Sequence, residues 1–114
     1  MASSTYNFPN ILRGDTFSAV QFTVNVNGSP KDLTSTGIKC EFRKSSKQGP
    51  SFKILTETGG ITIVVAVNGI FRIDEFNPVA IEVGEYYYDI QFTDGTVIKT
   101  YIEGTLTVLQ DVTA

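Results

Sequence analysis

Alternation of apolar and polar residues with period two is the feature that most constrains how this chain can fold. From Ser18 to Val26 the even positions read Ser, Val, Phe, Val and Val, whereas the odd positions from 19 to 25 read Ala, Gln, Thr and Asn. The same alternation recurs over 38–43 and most clearly over 86–93. Successive side chains of a strand point to opposite faces, so the pattern predicts strands with one face in a core and the other in water.

Turn signals separate about seven such stretches. Asn68-Gly69 and Asp94-Gly95 suit the positive φ angles of tight hairpins, and no stretch has a helical period. The chain is therefore predicted to be all-β, an immunoglobulin-like antiparallel β-sandwich of about seven strands. We expect one domain over residues 14–112, preceded by a polar N-terminal arm, residues 1–13, of the kind that can cross onto a neighbour. The expected strands lie at 18–26, 38–43, 52–55, 61–67, 70–74, 86–93 and 97–109.

Strand parity assigns side chains to the core. Tyr86, Tyr88, Ile90 and Phe92 should face inward, and Tyr87 with Asp89, Gln91 and Thr93 should face outward. In the last strand the inward set is Ile98, Ile102, Leu106 and Val108, with Lys99, Tyr101, Glu103 and Thr107 outward. Gly104 falls on the inward side, where it either marks a bulge or accepts a large neighbour such as Tyr88. Cys40, the sole cysteine, is predicted to be a small buried hydrophobe.

The stretch EVGEYYY, residues 82 to 88, carries a local structural signature. Its spacing of an acid, a glycine and a tyrosine matches the tyrosine corner of immunoglobulin-like domains, in which a tyrosine hydroxyl bonds to upstream backbone. Tyr86 would be the corner tyrosine. The chain lacks the tryptophan and the second cysteine of antibody domains.

The residue inventory argues against an enzyme. Histidine is absent, so the usual general base and the commonest metal ligand are missing, and we expect no catalytic, cofactor or metal site. Asp74 and Glu75 are adjacent and would point to opposite faces of a strand, which does not make a catalytic carboxylate pair. The net charge of −3 argues against nucleic-acid binding. The longest apolar run, Ile63 to Val67, is too short to span a bilayer, so we expect a soluble protein with no membrane partner.

The charges are unevenly distributed. Five of the nine basic residues lie between 39 and 53, whereas six acidic residues lie between 74 and 94 with no Lys or Arg among them. If the second and fifth strands share one sheet and the sixth lies in the other, the two segments would meet between subunits. Arg43, Lys44 and Lys47 would then be interface residues. The alternative is that both segments are solvated surface, where exposed ion pairs contribute little.

The ordered set RGDTFSAVQFTV, KDLTSTGIKCEFRK, NGIFRID, VGEYYYDIQFTDG and YIEGTLTVLQDV resembles bacteriophage tail and baseplate proteins. The similarity is to the immunoglobulin-like N-terminal domain of the upper baseplate protein family, and it extends from Gly14 to Val112. It implies a non-enzymatic virion component, made in the bacterial host cytoplasm, that assembles with copies of itself or with other virion proteins. The chain ends where a stalk or receptor-binding part would usually begin, so the expected role is that of an accessory, adaptor or decoration protein.

A second function class remains open. A small carbohydrate-binding module could stack sugars on outward-facing Tyr87 and Tyr101, beside Asp89, Gln91 and Glu103. Ordinary cross-strand packing of the two tyrosines is the competing explanation.

Overall fold

The computed structural model describes residues 4–46, 48–77 and 82–110, and their regular structure is almost wholly β. The one helical element described is a turn of 3₁₀-helix, Ala66–Asn68. The strands are β1 (Ser4–Thr5), β2 (Ile11–Leu12), β3 (Val20–Thr23), β4 (Asn25–Val26), β5 (Ser29–Pro30), β6 (Gly37–Lys44), β7 (Ser51–Thr56), β8 (Ile61–Val65), β9 (Ile70–Ile73), β10 (Gly84–Asp94) and β11 (Val97–Leu109).

Six strands form the large sheet, in the order β1, β11, β10, β6, β7, with β2 also paired to β11. The pairs among β11, β10, β6 and β7 are antiparallel, whereas β1 and β2 run parallel to β11. A smaller antiparallel sheet has the order β3, β9, β8, and β4 and β5 form a short hairpin. The all-β prediction is therefore confirmed, with several sheets that are mainly antiparallel.

One hydrophobic core takes side chains from both main sheets. Phe71 on β9 and Phe92 on β10 have no more than 1% of their surface exposed, and their ring centroids lie 5.6 Å apart. Phe22 on β3 stacks on Phe71 at 5.3 Å. Burial of such rings is the main stabilising contribution in a chain of this size, which has no disulfide.

The parity predicted for β6 and β10 is confirmed. Tyr86, Tyr88, Ile90 and Phe92 are all buried, and the residues between them are only partly buried. Cys40 is fully buried on β6, and burial raises the pKa of its thiol far above the usual value. The thiol is therefore an unreactive core group, as expected.

The parity predicted for the first half of β11 is wrong. A β-bulge shifts the register between β10 and β11, so that Ile90 pairs with Ile102 but Gln91 pairs with Thr100. Tyr101, the extra residue, packs on the core ring of Phe92 at 5.3 Å instead of facing outward. Ile98, predicted to face inward, is 61% exposed. One inserted residue exchanges the two faces of a strand, because side chains alternate with period two.

The N-terminal arm is also corrected. Its described part pairs with β11 of its own chain through β1 and β2, and Phe8 between them is 5% exposed in the core. The sheet therefore includes residues 4–12, which the predicted boundary at residue 13 had excluded. The apolar residues that reveal this, Phe8 and Ile11, are too few to produce a period.

The predicted sheet partners of the charged segments are wrong as well. β6, with the basic segment, lies directly beside β10, with much of the acidic one, and Arg43 pairs in register with Tyr87. β9, the predicted partner of β6, lies in the other sheet, between β3 and β8. Opposite charges of the two segments are therefore neighbours within one subunit.

Candidate functional site

Three carboxylates form a row across the solvent-facing side of the large sheet. Asp89 on β10 is the register partner of Glu41 on β6 and of Glu103 on β11. All three are partly buried. Directly opposite side chains on one face of a sheet lie about 4.5 to 5.5 Å apart at Cβ, and like charges there repel. The row is therefore an electrostatically unfavourable feature at neutral pH.

The pKa of Asp89 is raised, first by burial and then by the neighbouring carboxylates. Desolvation is the largest cause that raises it above its ordinary value, followed by the negative charges of Glu41 and Glu103. The positive charges of Arg43 and Lys39 act in the opposite direction. Asp89 consequently holds a proton more readily than a solvated aspartate does.

Arg43 neutralises one end of the row. Its Nη2 lies 3.2 Å from Oε1 of Glu41, and its Nη1 donates a hydrogen bond of 2.9 Å to the carbonyl oxygen of Gly49. The second bond fixes the guanidinium between strand β6 and the loop after it. Arg43 thus supplies positive charge to the Glu41 side of the row.

The same surface contains a cavity of about 220 Å³. Tyr87 belongs to its lining, and the Tyr87 hydroxyl donates a hydrogen bond of 2.6 Å to Oε1 of Glu85. The remaining lining residues are Glu41, Arg43, Tyr88, Asp89, Thr100 and Glu103. Chemically, this surface offers several acceptors, a guanidinium and an aromatic ring, a combination that suits a polyhydroxyl or cationic group. Among residues 4–46, 48–77 and 82–110, no three carboxylate or thiol groups are arranged to hold a metal ion.

The predicted site residues are only partly brought together. Arg43, Tyr87 and Asp89 share the cavity, whereas Tyr101 lies on the other side of the sheet in a separate cavity of about 150 Å³. Lys44 contacts the acidic segment directly, with Nζ 2.8 Å from Oε2 of Glu82. Lys47 lies outside the described residues. The predicted pairing of Tyr87 with Tyr101 as two stacking surfaces is therefore wrong.

Sequence reasoning missed Glu41 and Thr100 as site residues. Glu41 is identified only by strand register, because β6 lies more than 40 positions before its partner β10. Thr100 was missed because it has the parity predicted for the core, and only the bulge at Tyr101 places it on the outer face. No local signal in the sequence marks that bulge.

Tyr86 makes the hydrogen bonds expected of a tyrosine corner. Its ring is 1% exposed, and its hydroxyl donates to the carbonyl oxygen of Glu82 at 2.8 Å. The backbone N–H of Glu82 donates to the same hydroxyl at 3.1 Å. Tyr86 therefore has a structural position at the start of β10, away from the cavity lining.

Comparison with protein families and with curated proteins found no match. In the described part of the chain, no helix is long and apolar enough to cross a membrane. The class of protein defined so far is therefore an all-β protein whose large sheet carries a polar cavity on its outer face.

Proposed function

We propose that this chain is a non-enzymatic structural module of a bacteriophage or prophage virion, and that it acts by association with copies of itself and with neighbouring virion proteins. The virion assignment rests on the ordered motifs between Gly14 and Val112. The mode of action rests on the exposed edges of its sheets. The protein is made in the cytoplasm of the bacterial host and resides in the particle.

The finer fold proposed is an immunoglobulin-like sandwich. Variable-type immunoglobulin domains place strands B, E and D in one sheet and extend the C, F and G sheet with C′. The orders β3, β9, β8 and β7, β6, β10, β11 correspond to these two sheets if β3 is strand B. Tyr86 then lies near the start of strand F, the position of a corner tyrosine, which supports the same assignment.

The observation that carries association is a concentration of exposed aliphatic side chains at one pair of sheet edges. Val64, Val65 and Val67 are 43%, 37% and 63% exposed on β8 and the turn that follows it. Ile54 on β7, the edge strand of the large sheet, is 51% exposed. Single exposed aliphatic residues are common, but a group of them on consecutive edge strands marks an interaction surface.

The two edges differ in their protection. Lys53 on β7 is the register partner of buried Phe42, so it lies on the inward face of the sheet. Its Nζ lies 5.0 Å from the ring centre of Phe76. A charge on the inward face of an edge strand discourages pairing with another strand. The stretch from Ile61 to Val67 has no charged residue. We therefore assign the larger share of the contact to β8.

The test has two parts. Sedimentation at increasing concentration should show a rise in mass, and Val64→Lys should reduce it because a charge on an edge strand opposes pairing. Val97→Lys is the matched control, since Val97 is 52% exposed at the β10–β11 hairpin and lies on neither β7 nor β8. Negative-stain imaging of particles that incorporate a tagged copy then tests membership and position. If the protein has the mass of a monomer at every concentration, and no tag is seen on the particles, the proposal is wrong.

Carbohydrate binding is the second candidate, and the cavity beside Tyr87 is the observation that favours it. One aromatic surface with Asp89 and Glu103 could hold one sugar ring. A glycan array tests this, with Tyr87→Ala as the variant that should abolish any signal. Tyr101→Ala should leave the signal unchanged, because Tyr101 lies in the other cavity.

A further inference from the structure

The N-terminal segment, defined as residues 4–12, is bound to the rest of the chain as an extended peptide would be. The N–H groups of Tyr6 and Phe8 donate hydrogen bonds of 2.9 Å to the carbonyl oxygens of Glu103 and Thr105 on β11. The side-chain oxygen Oδ1 of Asn7 accepts from the backbone N–H of Thr105 at 3.2 Å. This is strand addition to a sheet edge, a common mode of peptide recognition.

Phe8 anchors the segment. Its ring is 5% exposed, and its centroid lies 4.6 Å from the ring of Tyr88 and 5.1 Å from that of Phe17. Phe42 closes the aromatic pocket at 6.0 Å. A buried aromatic ring supplies the hydrophobic part of the affinity, and the backbone ladder supplies the register.

Two residues of the body are shaped for this segment. A Cβ atom at Gly104 would lie 1.9 Å from the carbonyl oxygen of Tyr6, so no other residue type fits there while the segment is bound. The hydroxyl of Tyr88 donates a hydrogen bond of 2.5 Å to the same oxygen. The glycine and the hydroxyl together form a seat for one peptide carbonyl, which explains why Gly104 interrupts an inward-facing series of large residues.

The connection between the segment and the body is an exposed turn. Residues 13–16 are all exposed, and Gly14 has a φ of 95°. Phe17, which follows, is buried at 2% exposure and stays with the core. The hydrogen bond of 2.8 Å from the N–H of Arg13 to the carbonyl oxygen of Leu109 is the last backbone contact of the segment with β11, so the exposed residues 14–16 are where the chain could redirect it.

We propose that the groove formed by β11, Gly104, Tyr88 and the Phe8 pocket accepts residues 4–12 of a second copy, so that subunits are joined by exchange of N-terminal strands. This inference rests on the proposed function and adds a second contact, at β11, to the one assigned to the β8 edge. Every contact described above is reproduced when the segment comes from a neighbour. The segment is uncharged, so a second copy brings no repulsion into the groove although each chain carries a net charge of −3.

Concentration decides between the two arrangements. A tethered segment has an effective concentration on the order of millimolar at its own groove, so isolated chains keep it in place. Copies held side by side in a particle reach a comparable local concentration. Passing each segment to the next subunit in one direction gives a ring or a filament, depending on whether the rotation closes.

The test is disulfide trapping between two different full-length chains. Thr5 and Glu103 are register partners, so cysteines at these positions are close enough to bond. One chain carries Thr5→Cys, the other carries Glu103→Cys, and buried Cys40 does not react. Mixing and oxidising them at a concentration on the order of millimolar, which matches that of the tethered segment, should give several-fold more disulfide-linked heterodimer than the pair Thr5→Cys and Lys99→Cys. Lys99 is exposed on β11 but pairs with Phe92, away from the segment.

Two further chains make the result decisive. The double variant Thr5→Cys/Glu103→Cys should form an intrachain disulfide, which shows that the geometry permits the bond. Adding Phe8→Ala to the Thr5→Cys donor should reduce the heterodimer several-fold, because the anchor is lost while the acceptor groove is intact. An intrachain bond in the double variant, with heterodimer no higher than the Lys99 control, overturns strand exchange. If the mass still rises with concentration, association itself stands and uses another surface.

Discussion

The hydroxyl group of Tyr86 is bound to both backbone polar atoms of one residue, Glu82, at the turn into β10. Tyr86→Phe keeps the buried ring and removes both hydrogen bonds. We expect a loss of about 1 to 2 kcal/mol in the free energy of unfolding, mostly from the unpaired backbone groups. Urea denaturation measures it. Tyr87→Phe is the control and should change little, since Tyr87 bonds an exposed carboxylate; equal effects of the two variants would contradict the corner assignment.

Asp89 should make the fold less stable as the pH rises. Its pKa lies above the ordinary value of 3.8, so the folded chain binds this proton more tightly than the unfolded chain does. The stabilisation that this proton gives is complete below the pKa of Asp89 in the unfolded chain. It is lost as the pH rises through the pKa of Asp89 in the folded chain. Asp89→Asn should therefore be more stable than the parent near neutral pH, and the difference should close on acidification. Urea melts across the acidic range measure this.

Asp74 provides a control of opposite sign. Hydrogen bonds from Arg72 and Thr62 hold the pKa of Asp74 below its ordinary value. Its contribution is present above the unfolded pKa and is lost as the pH falls, so Asp74→Asn should be less stable near neutral pH. Equal signs for the Asp89 and Asp74 variants would refute the electrostatic account of the carboxylate row.

The bulge in β11 is testable through two isoleucines that the alternating pattern treats alike. Ile102 is 7% exposed, whereas Ile98 is 61% exposed beyond the bulge. Ile102→Ala should cost about 3 kcal/mol by removing buried volume. Ile98→Ala should stay within about 0.5 kcal/mol, as surface changes do. Thermal or urea unfolding compares the two variants. A large loss of stability for Ile98→Ala would contradict the bulge and support a strand that alternates without interruption.

Charge matching within the subunit sets the expected response of assembly to salt. Lys44 contacts Glu82 at 2.8 Å, and Lys31 contacts Asp94 at the same distance. Arg43 also has a partner in its own subunit, since its Nη2 lies 3.2 Å from Oε1 of Glu41. Arg43 and Lys44 are thus both engaged within the subunit. We expect self-association to change little between low and high salt, because salt screens mainly exposed charge pairs. Sedimentation at several salt concentrations measures it, and dissociation by salt would reinstate electrostatic pairing.

The fold and the site were predictable to different degrees. The strands at 38–43 and 86–93 and the buried faces they carry follow from alternation alone, and the hairpin at Asp94-Gly95 follows from its turn residues. The short strands β1, β2, β4 and β5 have two residues each, which is too short for any period to be visible. The cavity was identified through Tyr87 and Asp89 but not through Glu41, because its membership depends on which strands are neighbours.

The sequence by itself determined the local features of this protein. These are its all-β class, the inward faces of β6 and β10, and the tyrosine corner. Each of these depends on residues a few positions apart, where side-chain alternation and turn preferences act directly. Only the tertiary structure decided that β6 lies beside β10, that Tyr101 turns into the core, and that residues 4–12 lie against Gly104. Those outcomes join segments tens of residues apart in the chain, and they are selected by the packing of the whole core.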